Sequence, residues 1–419
     1  MKIKRSKLLY AIIISGLISV TCYFANNSPF LTENFLYTHS LSQYLCSEFI
    51  KEDKHFSDNV LFIDVSKDNE LVDIYEDSVI VGNTKIANRQ RLYTYLKNLK
   101  KDIEIDAKPY KYLIIDIFFD EKHKTAYDDS LFSIIKSLDR TLVVNYSKDN
   151  KSFNIANDYL EKKSGTAQYN STIIETNFTR FPFLNIGNGE KSVVLKAYEE
   201  LNPNMQFKRV GFGPFSIFVS GNKLCRSAAF ITFDRDSITN IRVLEEQSKY
   251  ENRIGVPDTT SRFSSDYRRL GEYLSHSSEI MPILIQGDAN GKYIIIGNLE
   301  DDIHDTYIGK KPGSFIVYKA LEFLDNNKHI INPITTFIWL IIYIIVIYFI
   351  IKGYTIANQL KIKSTLWKSI LDIFTFSTFL ILCEIPIYLI FEEVHNLFVP
   401  ILAITILKLY INLKKQTYE

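Results

Sequence analysis

Three aspartates stand where short apolar runs end: Asp64 closes VLFID, Asp116 closes YLIID, and Asp302 follows YIIIG by a few residues. Short apolar runs bounded by polar residues read as buried strands, and ligands of open α/β sheets collect beyond the carboxyl ends of such strands. Carboxylates converging there offer oxygen lone pairs to a hard cation or a cationic ligand. His304 and Thr306, in DIHDT, would complete that polar set. The same acids also suit helix caps and turns, where a short carboxylate accepts from free backbone N–H groups. The sequence leaves both readings open. Asp116 is the most telling of the three, because a charge inside a buried strand needs a partner. Arg89 or Arg91 would satisfy it without any ligand.

Catalytic constellations are missing. Ser66 has no matched base and no nucleophile elbow occurs. None of the seven histidines forms a spaced pair such as HExxH, and the four cysteines form no CxxC. Gly309, Pro312 and Gly313 lead into a helix and could offer N–H groups to an anion, but their spacing is neither a Walker loop nor a dinucleotide fingerprint. Turn geometry explains them better. The expectation is therefore a protein without catalytic residues, metal or cofactor. A net charge of +1, with Lys and Arg interleaved among Asp and Glu, argues against a nucleic-acid partner.

The elements that must position these residues follow from periodicity. Val60–Val65, Tyr112–Phe119 and Thr141–Asn145 read as buried strands, and Tyr293–Gly297 as a fourth. Between them Leu92, Tyr95, Leu96 and Leu99, then Leu131, Ile134, Ile135 and Leu138, fall at helical spacing. Alternation of strand and helix predicts an α/β fold, a three-layer, mostly parallel sheet. Its core covers residues 58–146 and 290–326, with residues 147–289 as an elaboration.

Apolar runs flank this domain. Leu8–Phe24, Ile334–Ile351, Ile370–Phe391 and the shorter Phe398–Ile411 approach the ~20 residues needed to span hydrocarbon. Lys2, Lys4, Arg5 and Lys7, the connector lysines from Lys352 to Lys368, and Lys414 with Lys415 all fall on one side by the positive-inside rule. The expected plan is an anchor in residues 1–25, an extracytoplasmic domain over 26–333, three transmembrane helices over 334–413 and a cytoplasmic tail over 414–419. The alternative for the first run is a cleaved signal peptide, with Cys22 inviting a lipoprotein reading, but Val20 and Thr21 are poor processing neighbours and favour the anchor. Cys46 and Cys225, outside the membrane runs, either pair or remain separate buried thiols. Glu384, inside the third span, is a functional candidate by default; coupling or packing, with Lys408, Tyr343 or Tyr388 as partner, is favoured over ion transport.

The order of parts resembles the second type of CHASE domain, an extracytoplasmic sensory module of bacterial signalling proteins. The resemblance rests on FIDVS with Asp64 and Ser66, on IDIFFDE with Asp116 and Phe119, on Asp128 or Asp129 before a helix, and on Gly297, Asp302, His304, Thr306, Gly309, Pro312 and Gly313. Tyr307 replaces the usual proline, a tryptophan-proline element is absent, and Val79–Asn88 is only loosely similar. The resemblance implies a multi-pass sensor of the bacterial inner membrane with a periplasmic ligand site at Asp64, Asp116, Asp302, His304 and Thr306. Members usually carry a kinase, cyclase or other catalytic domain after the last helix, whereas here only residues 414–419 follow it; the expectation is therefore a stand-alone form that signals through its helices, with Glu384 coupling, to a separate protein or a second copy. The alternative expectation is a non-enzymatic envelope assembly protein.

Overall fold

The computed structural model describes residues 5–27, 59–76, 79–106, 109–120, 123–145, 147–148, 151–152, 163–167, 180–185, 189–211, 215–230, 267–269, 289–306, 309–354, 356–360, 364–391, 395 and 397–416. Cys46 and Tyr307 lie outside these residues. The chain divides into two compact units. One holds Met1–Glu52, Lys208–Arg226 and Lys328–Glu419, the other Asp53–Phe207 and Ser227–Asn327.

The second unit mixes helices with a mostly parallel sheet. In chain order it contains β1 (Val60–Asp64), β2 (Asn69–Glu76), β3 (Val79–Ala87), α2 (Arg89–Asp106), β4 (Tyr112–Asp116), α3 (Asp128–Ser137) and β5 (Thr141–Asn145). Short strands β6 (Ser147–Lys148), β7 (Lys151–Ser152), β8 (Ser164–Thr166) and β9 (Arg180–Pro182) precede α4 (Val193–Leu201). The chain then passes into the first unit at Lys208, through β10 (Phe207–Val210), β11 (Ile217–Ser220) and β12 (Lys223–Cys225), and returns to the second for β13 (Ala228–Phe230), β14 (Tyr267–Arg269), β15 (Tyr293–Gly297), β16 (Ile303–Thr306), β17 (Gly309–Pro312) and α5 (Gly313–Asp325).

The main sheet runs β14-β1-β15-β4-β5-β8, with every pairing parallel. Its inner strands are apolar almost throughout because a parallel strand is covered on both faces; β1, β5 and β15 are buried at every position. Leu61, Ile63, Leu113, Ile115, Ile294 and Ile296 point to one side, into a core with Leu92, Tyr95, Leu96 and Leu99 of α2 and Leu131 and Ile135 of α3. The alternate strand residues point the other way, and Phe62 meets Tyr318 of α5 edge to face with ring centroids 5.7 Å apart.

One topological feature positions the site. The late strand β15 inserts between the early strands β1 and β4, and the register aligns Asp64, Gly297 and Asp116 in one row at the carboxyl edge. Gly297, and with it Asp302 and Gly313, is thereby brought beside Asp116, which precedes Gly297 by about 180 residues. Two antiparallel hairpins were not expected: β2 with β3, and β16 with β17. The first forms from Val79, Ile80 and Val81, β-branched residues that favour extended backbone, yet all three are exposed.

The first unit holds α1 (Arg5–Asn27), α6 (Pro333–Lys352), a short α7 (Ile356–Gln359), α8 (Thr365–Phe391) and α9 (Phe398–Gln416). Among the described residues three helices are long and apolar enough to cross a membrane: Ser6–Ala25, Pro333–Lys352 and Trp367–Ile387. The apolar part of α9, Phe398–Asn412, is shorter. Helix α6 is closed at both ends by local chemistry. Asn332 accepts the Ile334 N–H at 2.9 Å with Pro333 in the first turn, and Gly353 ends the helix at φ 76°, a left-handed conformation that glycine adopts without strain.

Candidate functional site

Asp116 ends β4 as its only residue that is not fully buried. Its Oδ2 accepts a hydrogen bond from Ser314 Oγ at 2.8 Å. Ser314 belongs to the first turn of α5, a helix whose N-cap, Pro312, supplies no side-chain acceptor. The carboxyl end of β4 therefore meets a helix N-terminus that has no side-chain cap, where negative charge is favoured.

Asp302 and His304 close the same corner from the hairpin side. His304 Nε2 lies 3.0 Å from Asp302 Oδ1, and the Gly313 N–H donates to the Asp302 carbonyl at 2.9 Å. Two glycines permit this packing. A Cβ on Gly297 would overlap Ser314 Oγ, and one on Gly313 would overlap Asp302 Oδ2 and crowd His304 Nε2.

The electrostatic consequence falls on Asp116. Burial of its carboxyl group, and then the negative charge of Asp302, push it up from 3.8 to about 7; the Ser314 hydrogen bond and His304 act in the opposite direction without cancelling them. Two acids and an imidazole thus share a corner in which one acid holds its proton near neutrality. Among the described residues no group of three or more His, Cys, Asp or Glu side chains is arranged to hold a metal ion.

Of the expected site residues, Asp116, Asp302 and His304 come together. Asp64 has a different environment: its Oδ1 accepts from the backbone N–H groups of Ser66 at 3.0 Å and Leu299 at 3.1 Å, and its Oδ2 from Ser66 Oγ at 2.7 Å. That carboxylate ties the loop after β1 to the loop after β15. Thr306 lies two residues past His304, buried opposite Gly309 in the hairpin. The arginines expected as structural partners of Asp116 go elsewhere. Arg89 lies 3.6 Å from Asp128, with its guanidinium 4.2 Å from the centre of the Phe119 ring, and Arg91 pairs with Asp68. Both head α2 on the face of the sheet away from Asp116, so sequence proximity to a hydrogen-bonding need was no guide.

Ser314 is the contact the sequence reading passed over. It follows Pro312-Gly313 at the start of a helix, a position from which a hydroxyl reaches towards the neighbouring strand end.

Within the membrane helices, Glu384 is buried at 1% exposure and its Oε1 accepts the backbone N–H of His395 at 2.9 Å. The His395 ring stacks near Trp339, centroids 5.2 Å apart. Lys408, expected as a partner for Glu384, pairs instead with Asp372 at 2.6 Å, both being buried. The side chain of Tyr388 lies outside the described residues. Cys225 is buried and its Sγ is 3.4 Å from the Lys223 carbonyl, while its expected partner Cys46 is not described.

Comparison with protein-family models, curated proteins and solved structures finds no match to this chain.

Proposed function

We propose that this protein is a membrane receptor whose α/β domain recognises an external ligand bearing a cationic group and passes the event through its helices to a separate protein or a second copy. The observation that carries the reading is the Asp116–Asp302–His304 corner, where burial and the charge of Asp302 push an acid up to about 7 at the carboxyl edge of a parallel sheet. Perturbed acids cluster at functional sites, and ligands of parallel sheets collect at that edge. The resemblance to the second type of CHASE domain supports the same reading by analogy. With it come the finer points: three layers in the domain, a fourth span in α9, both termini cytoplasmic, the domain on the periplasmic side of a bacterial inner membrane, and Glu384 as the coupling residue.

Affinity capture of the full chain from native membranes tests the signalling half of the proposal. Recovery of a kinase, cyclase or other regulatory protein, reduced by Glu384→Gln, supports it. Recovery of envelope assembly proteins instead, unaffected by Asp116→Asn or Glu384→Gln, favours the assembly reading.

A further inference from the structure

The first unit carries a small antiparallel sheet, β10-β11-β12, at the head of its helices. Two tethers fix its height. Tyr23, near the end of α1, accepts the Phe218 N–H at 3.0 Å and places its hydroxyl 3.4 Å from the Cys225 carbonyl. On the other side the Arg226 N–H donates to the His329 carbonyl at 2.8 Å and the Ile331 N–H to the Leu224 carbonyl at 2.9 Å. The apolar span of α1 ends at Ala25 and that of α6 begins at Pro333. Tyr23 lies two residues inside one span end, about 3 Å of helix, and Ile331 two residues outside the other, about 7 Å of chain at most. The headgroup zone on each side of the hydrocarbon is about 5 to 8 Å deep, so the sheet sits at headgroup level wherever those spans cross.

Its composition suits that level. Lys208–Arg226 contains four basic residues, Lys208, Arg209, Lys223 and Arg226, and no Asp or Glu, although the whole chain balances 49 basic against 48 acidic residues. Lys208 and Lys223 are exposed. The pairing of Val219 with Leu224 and of Phe218 with Cys225 sorts the strands into two faces. Phe218 and Cys225 are buried, whereas Ile217 and Leu224 on the other face are 38% and 47% exposed, with Phe215 at 64% and Val210 at 58% beside them. Lys208 alternates onto the face of Val210, whereas Lys223, paired with Ser220, begins β12 at the turn on the Phe218 side. An open apolar face with Lys208 on it and Lys223 at the turn beside it, held at headgroup height, fits an anionic bilayer surface.

We infer that the β10-β11-β12 sheet is a lipid-binding platform: Phe215, Ile217 and Leu224 bed into the bilayer interface, and Lys208 and Lys223 rest on anionic headgroups. The idea rests on the spans, not on the ligand site, so either can fail without the other. Each basic residue at an anionic surface is worth about fivefold in affinity, so the two exposed lysines together favour anionic over zwitterionic lipid by roughly 30-fold.

The test uses the full chain in vesicles of phosphatidylcholine with phosphatidylglycerol, one or the other brominated in its acyl chains. Phe215→Trp, or Leu224→Trp as a second reporter on another strand, adds an indole whose quenching is read as the difference from the parent with Trp339 and Trp367. The added indole should be quenched by brominated lipid, more strongly by phosphatidylglycerol at equal fraction, and Lys208→Gln with Lys223→Gln should abolish that preference. Equal quenching by both lipids in the unsubstituted background would overturn the anionic assignment. Quenching by aqueous iodide instead would overturn the platform altogether. Protection from both lipid and iodide would mean that a second copy covers the face, which also overturns it.

Discussion

Asp116→Asn should stabilise the protein at high pH and leave it nearly unchanged at low pH, the opposite of what a structural carboxylate would do. The reasoning starts from the raised value of about 7 against an ordinary 3.8. Below about pH 4 the carboxyl is protonated in both folded and unfolded chains, so it contributes no pH-dependent term. Between those values the folded state holds a proton that the unfolded state has released, so stability falls as pH rises, and above pH 7 the loss is complete. Three units at 1.36 kcal/mol each set a ceiling of about 4 kcal/mol. Because Asp116 retains partial exposure, solvent brings the expected figure nearer to about 2 kcal/mol. Asparagine keeps an oxygen for the Ser314 hydroxyl at the 2.8 Å position but carries no charge to desolvate. Thermal unfolding of the full chain in nanodiscs should show the variant's midpoint roughly 4 to 8 °C above the parent at pH 8 and within a degree or so at pH 4. A variant less stable than the parent at both pH values would refute the reasoning and return Asp116 to a structural role.

Gly297→Ala should destabilise the domain by about 1 to 3 kcal/mol, because the added methyl has only the space that Ser314 Oγ fills; adding Ser314→Ala should recover part of that loss, and a strictly additive double variant would contradict the close contact. Arg89→Met should cost about 3 to 5 kcal/mol by leaving Asp128 buried without its cation, whereas Arg89→Met with Asp128→Leu should cost less, as chemical denaturation would show. Glu384→Gln preserves an acceptor for the His395 N–H, so membrane accumulation should be normal while partner recovery changes; normal recovery would remove the coupling role, and loss of a measured ion uptake would point to transport.

The sheet and its covering helices were legible because their signals are local. VLFID, YLIID, TLVVN and YIIIG are apolar without interruption, and the stripes at Leu92 to Leu99 and Leu131 to Leu138 repeat at helical spacing. The hairpin of β2 and β3 was missed because its consecutive apolar residues Val79, Ile80 and Val81 are all exposed, so no alternation of apolar and polar residues marks the strand. For Asp64 the sequence allowed a ligand site or a cap, and only the three donors at 2.7 to 3.1 Å show what its oxygens meet. The cluster of Asp116 with Asp302 and His304 was expected from strand ends alone, but its cause, the insertion of β15 between β1 and β4, is a long-range fact that no local pattern encodes. The same limit explains His395 and Lys408. Partner choice among membrane helices depends on their rotation and depth, which an apolar run of 20 residues does not specify.

The most direct test of the receptor reading is a thermal-shift titration of the full chain in nanodiscs with cations of graded size: calcium, magnesium, ethylammonium and spermidine, at pH 5 and pH 8. The account predicts that at least one of them stabilises the parent, more at pH 8 than at pH 5 because Asp116 must give up its proton to bind, and that Asp116→Asn and Asp302→Asn each remove the shift. A shift of equal size in both variants, or no shift with any cation at either pH, would contradict it.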